Sequence, residues 1–160
     1  MKSLIKITFV TLFLGLSAFT FAQNAKYKCM LQMSNYKGLE AYVVVSLINP
    51  SGQYEKTLYM MGPDKQWYNG FKQWDKFNKK KKEKLSGITG ASVAAGDRSI
   101  TTFAIDQSKM NKGYKLRFES AVEDGQYHIS DVEIPLTTAG ITQKVDGKGY
   151  IRYVKLSKAQ

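Results

Sequence analysis

The sequence predicts an all-β fold, an immunoglobulin-like antiparallel β-sandwich crossed by one amphipathic helix. Three observations carry that expectation. About seven short segments alternate apolar and polar residues or run β-branched. Clusters of Gly, Pro, Asn, Asp and Ser separate them. One stretch between the third and fourth segments changes to a helical period.

Residues 27–33 place Tyr27, Cys29, Leu31 and Met33 on one face and Lys28, Met30 and Gln32 on the other, the two-residue period of a strand. Residues 41–48 are β-branched and apolar and stop at Asn49-Pro50-Ser51-Gly52. Residues 54–61 resume and end at Gly62-Pro63-Asp64, which completes a hairpin. Trp67, Phe71, Trp74 and Phe77 then follow at spacings of four, three and three, so a helix would carry them on one face. That helix is expected over residues 69–84, with Asn69 as its cap and the charges of Lys79 to Lys82 at the favourable end of its dipole.

Residues 99–105 form the next strand, with Ile100, Thr102 and Ala104 opposite Thr101, Phe103 and Ile105. Residues 114–121 alternate cleanly, which sends Tyr114, Leu116 and Phe118 inward and Lys115, Arg117 and Glu119 outward. Glu123-Asp124-Gly125 is a tight turn, and residues 126–134 are the partner strand, with Tyr127, Ile129 and Val132 inward. Residues 150–156 close the chain.

Lys2 and Lys6 precede an apolar run over residues 7–16, and small residues stand at Thr20 and Ala22. This pattern predicts a signal peptide over residues 1–22, cut after Ala22, and a single β-sandwich domain over residues 23–160. The run is shorter than the roughly 20 apolar residues of a membrane anchor. No later segment is apolar enough to span, so the mature chain is expected to be periplasmic or secreted, without a membrane span. Lys26-Tyr27-Lys28 before Cys29 does not suit a lipid-attachment site, and a lone cysteine makes no internal disulfide. Removing Lys2 and Lys6 lowers the formal charge from +11 to +9. Outside the cytoplasm such a charge suits phosphates, lipid headgroups or an acidic protein, and nucleic acid is not an expected partner.

Little in the chain suggests independent catalysis. His128 is the single histidine and has no ligand or nucleophile at a useful spacing. Cys29, Met30, Met33, Met60 and Met61 have the soft sulfur that selects Cu(I), but strand alternation points Met30 away from Cys29 and Met33, and Met60 away from Met61. No metal site is expected. The aromatic stripe is core packing first and a stacking platform second.

The order of the chain's features resembles the domain-of-unknown-function 2271 family of predicted periplasmic proteins. The resemblance rests on Tyr42-Val43-Val44-Val45 with residues 52–58, on Lys65-Gln66-Trp67 with Phe71 and Trp74, on Thr89-Gly90-Ala91-Ser92, and on Gly113-Tyr114-Lys115-Leu116. It spans residues 38–136. The Thr89-Gly90-Ala91-Ser92 segment also resembles the acceptor motif for covalent FMN, in which an exported flavin transferase moves FMN from FAD onto the last hydroxyl. Carried over, Ser92 is the acceptor, with Thr89, Gly90 and Ala91 as its binding context. Ser86 stands where that motif has Asp, and Ala94 where it has a trailing hydroxyl. The resemblance implies an electron carrier serving a membrane redox protein, with the lysine run drawing in the flavin phosphate and helix aromatics stacking on the ring. The alternative is a cofactor-free binding module that uses its basic face.

Overall fold

A computed structural model of the protein describes residues 23–159; the expected signal peptide lies outside them. In chain order the elements are β1 (Asn24–Met33), β2 (Tyr42–Ile48), β3 (Tyr54–Met61), a 3-10 turn (Lys65–Gly70), α1 (Lys72–Lys81), β4 (Thr89–Gly90), β5 (Arg98–Asp106), β6 (Lys115–Ala121), β7 (Tyr127–Pro135), β8 (Lys144–Asp146) and β9 (Ile151–Lys158). The strands make an all-β sandwich of a four-stranded sheet, β5-β1-β9-β8, and a five-stranded sheet, β4-β3-β2-β6-β7. Neighbours pair antiparallel, except that β4 runs parallel to β3.

Strand alternation builds the core between the sheets. Cys29, Leu31 and Met33 from β1 meet Val43, Val45, Leu116 and Phe118 from the facing sheet. Each large side chain buried there contributes about 1.5–3 kcal/mol. The hairpin turn is held by Asn49, whose Oδ1 accepts from the N–H groups of Ser51 and Gln53 at 3.0 and 2.9 Å. Gly52 supplies the left-handed φ of +79° that this turn needs.

A second, smaller core lies on the other side of the five-stranded sheet, where α1 packs. Val44 and Met60 from the sheet meet Phe71, Trp74, Leu85 and Ala121. β2 is therefore covered on both faces, which explains its continuous rather than alternating apolar run. Trp74 is fully buried, and its indole N–H donates to Thr57 Oγ1 at 2.9 Å. The Thr57 hydroxyl in turn donates to Glu83 at 2.5 Å, and the Thr57 backbone N–H donates to the same carboxylate at 3.1 Å. Glu83 thereby occupies a backbone donor on the side of β3 that the two-residue β4 leaves uncovered. Replacing Trp74 with Phe removes the indole donor and leaves a small void. We expect a loss of about 2 kcal/mol with an unchanged urea m-value, measured by equilibrium unfolding.

Three sequence expectations are corrected. The helix does not run over residues 69–84. The chain first makes the 3-10 turn, capped by Asp64, whose side chain accepts from the Gln66 N–H. It then breaks at Phe71 (φ −84°, ψ 67°), and α1 ends where Lys82 turns left-handed. Asn69-Gly70 interrupts the helix, so Asn69 caps nothing, and only the break lets Phe71 enter the second core.

Glu119 does alternate away from the main core, yet it is fully buried, because α1 and its approach cover that face. Ile129 does not point inward; it is 37% exposed. The pairing of β6 with β7 is irregular between Phe118 and Ser120: Phe118 faces Val132 but Ser120 faces His128. Ile129 shares the outer face with Tyr127, which packs on Phe71 of the second core, while the two extra residues of β7 let Asp131 turn in. Asp131 then holds the turn before β9. Its carboxylate accepts from the N–H groups of Lys148, Gly149 and Ile151 at 2.8, 2.7 and 2.9 Å, and from Ser120 Oγ at 2.5 Å. Gly149 passes so close that a Cβ there would lie 2.4 Å from the His128 ring.

Candidate functional site

The Thr-Gly-Ala-Ser segment is not the free helix-to-strand loop that its small residues suggest. Thr89 and Gly90 pair with Met60 and Met61 as β4. The Thr89 hydroxyl donates to the Leu85 carbonyl at 2.8 Å. A Cβ on Gly90 would lie 2.3 Å from the Tyr59 hydroxyl, so packing alone calls for a glycine there. Val93 bridges Ala41 through two backbone hydrogen bonds of 2.8 and 3.0 Å. Ala91 and Ser92 lie between these anchor points. Ala91 is exposed and Ser92 half-buried. The Ser92 hydroxyl donates to the Glu40 carboxylate.

Glu40 also lines a cleft of about 530 Å³ between the β1–β2 connection and the β6–β7 turn. Leu39, Tyr42, Trp67 and Tyr127 supply its apolar walls, and Lys72 its one cation. Leu39 and Trp67 are 60% and 38% exposed, unusually high for large apolar side chains. Glu40, Glu123 and Asp124 stand on the rim, so the cleft is acidic. The volume falls within the usual range for a small-molecule site, about 300–1,000 Å³.

The other parts of the expected site do not gather here. Of the aromatic stripe, Phe71 and Trp74 are buried, and Phe77 stacks on Tyr54 with ring centres 5.5 Å apart. Trp67 alone faces the cleft, from the 3-10 turn rather than from α1. The lysine run lies elsewhere: Lys80 and Lys81 flank a separate hollow with Gln53, Tyr54 and Phe77, at the far end of α1. The sulfurs are scattered too. Cys29 is buried in the main core, where desolvation pushes its thiol up to about 12. Met30 points to the opposite face, and Met60 and Met61 divide between the two cores. His128 packs edge-on against Tyr150, with ring centres 4.9 Å apart.

A second polar group lies beneath α1. Burial pushes the Glu119 carboxyl up to about 7, opposed by a hydrogen bond from Tyr127 and by the charge of Arg117. The Tyr127 hydroxyl donates to Glu119 Oε2, while Oε1 has no hydrogen-bond partner. The same burial raises the Tyr54 and Tyr127 phenols. Glu40 and Glu119 both escaped the sequence reading. Glu40 lies in an irregular connection without a pattern, and Glu119 occupies a position that alternation assigns to solvent.

A protein-family model described as predicted periplasmic protein, DUF2271, matches residues 24–153. No curated protein and no solved structure matches the chain.

Proposed function

Because the chain belongs to the DUF2271 family of predicted periplasmic proteins, we propose that it is an exported carrier that holds FMN covalently at Ser92, with the flavin ring in the adjoining cleft. The observation that carries this reading is the hydrogen bond from the Ser92 hydroxyl to Glu40, a residue that lines a cleft walled by a partly exposed indole. Anchors on both sides of Ala91-Ser92 would aim a tethered group instead of letting it swing. Trp67 and Tyr127 offer faces for an aromatic ring.

In the loading step the Ser92 Oγ–P bond forms and the FMN–AMP anhydride of FAD breaks. AMP leaves, and the serine proton passes to the Glu40 carboxylate that already accepts it. The transferase is a separate protein. The bound flavin would supply the electron chemistry, while this chain orients it and shapes its field. The carboxylates of Glu40, Glu123 and Asp124 would disfavour an anionic reduced flavin and so lower its potential. Its partner would be a membrane redox protein.

Co-expression with a flavin transferase should raise the intact mass by one FMN less one water and give a fluorescent band on a denaturing gel. Ser92→Ala should abolish both. An unchanged mass beside a control acceptor that is loaded would overturn the reading. The alternative, a cofactor-free binding module that uses its basic face, would then take its place.

A further inference from the structure

The two sheets differ on their outer faces. α1 covers that of the five-stranded sheet, whereas that of the four-stranded sheet presents its outward side chains as a basic surface. From the strand register, four successive rows cross it. Lys26 sits opposite Ala104 of β5. Lys28 lies between Thr102 and Ser157. Met30 lies between Ile100 and Lys155, and Lys155 faces Lys144 of β8. Gln32 lies between Arg98 and Tyr153, and Tyr153 faces Asp146.

Five cations therefore share these four rows with one carboxylate, Asp146, and Asp106 follows on the same face one row further, opposite Asn24. Lys26, Lys28 and Lys155 are exposed, and among the described residues none of the three makes an ion pair. Near the middle Ile100 is 56% exposed, beside the half-buried Met30. With strands about 4.8 Å apart and about 3.3 Å per residue, the array measures roughly 14 by 20 Å.

We infer that this sheet face docks on an anionic phospholipid leaflet facing the periplasm. Charge complementarity selects the occupant. Lysines near a lipid surface of negative potential are attracted within a Debye length. Their methylene stems reach down while the ammonium groups remain in the headgroup layer. The apolar side chains of Ile100 and Met30, ringed by cations, enter the acyl boundary. The array lies across four hydrogen-bonded strands rather than in a groove, which suits a flat lipid surface better than a linear polymer. The cleft beside Ser92 belongs to the other sheet and stays open when this face is down, so docking does not depend on the flavin reading.

The test is flotation of the protein, recovered from periplasmic extract, with two kinds of vesicle at about 0.15 M salt. One contains phosphatidylglycerol in phosphatidylethanolamine, and the other is pure phosphatidylcholine. Binding should be confined to the anionic vesicles and fall steeply as salt rises. Each lysine removed from the face should weaken partition roughly fivefold, so Lys28→Gln with Lys155→Gln should lose more than tenfold. Lys79→Gln with Lys80→Gln, at the end of α1, should change little, with circular dichroism confirming that each variant folds. Equal binding to neutral vesicles would overturn the inference. So would loss of binding only in the α1 variant, or retention on a soluble polyanion without flotation.

Discussion

Replacing Asp131 with Ala should lower the unfolding free energy by about 3–5 kcal/mol, because one side chain closes four hydrogen bonds at once. Three of its donors are backbone N–H groups, and the one on Ile151 is buried. Removing the carboxylate strands them without bringing in a replacement. Asn is also expected to be costly, since its NH₂ group would confront donors where the second oxygen now accepts. The melting temperature of the Ala variant should fall by roughly 10–20 °C. A change below about 1 kcal/mol in denaturant unfolding would mean that the turn before β9 does not rely on Asp131.

Glu119 gives the second large effect, of opposite sign. Its folded-state value, about 7, lies above the ordinary 4.5, because burial disfavours the carboxylate. The folded protein therefore holds its proton more tightly than the unfolded chain does. Stability is fully present below pH 4.5, declines as the pH rises through the interval to 7, and then levels off for this group. Glu119→Gln, which keeps the shape and removes the charge, should stabilise the protein by about 2–3 kcal/mol at pH 8. Near pH 4 the two proteins should be alike. Chemical denaturation at several pH values measures this directly. A wild-type curve without a decline across that interval would show that Glu119 ionises freely despite its burial.

These two carboxylates also mark the limits of reading this chain from its sequence. Apolar runs between turn signals located β2 and β3, and strand alternation located β1, β5 and β6 because each has one face against the main core. It also separated Cys29 and Met33 from Met30. It placed Glu119 on the correct side of β6 but took that side for solvent, since alternation describes a sheet and not what packs on it. The Trp67-to-Phe77 spacing looked like one helix because its apolar period continues through Asn69-Gly70, where the backbone turns aside. β4 and β8, with two and three residues, are too short to show any period.

The candidate site was legible only as residue types. Ser92 was singled out by its neighbours in sequence, yet its nearest polar contact, Glu40, comes from a connection 52 residues away in the chain. The lysine run and, Trp67 excepted, the aromatic stripe do not gather at the cleft, because α1 carries its basic end away before the chain returns as β4. The basic sheet face was hidden differently. Its cations come from β1, β5, β8 and β9 and meet only through strand pairing.

The contact between Glu83 and the Thr57 N–H has a consequence for self-association. An open strand border is where a neighbouring copy can zip on and begin a fibre. Here a negative charge already fills the binding position, so a newcomer would have to displace it before its first rung could form. Losing that one side chain should leave the monomer folded while inviting growth that steepens with concentration.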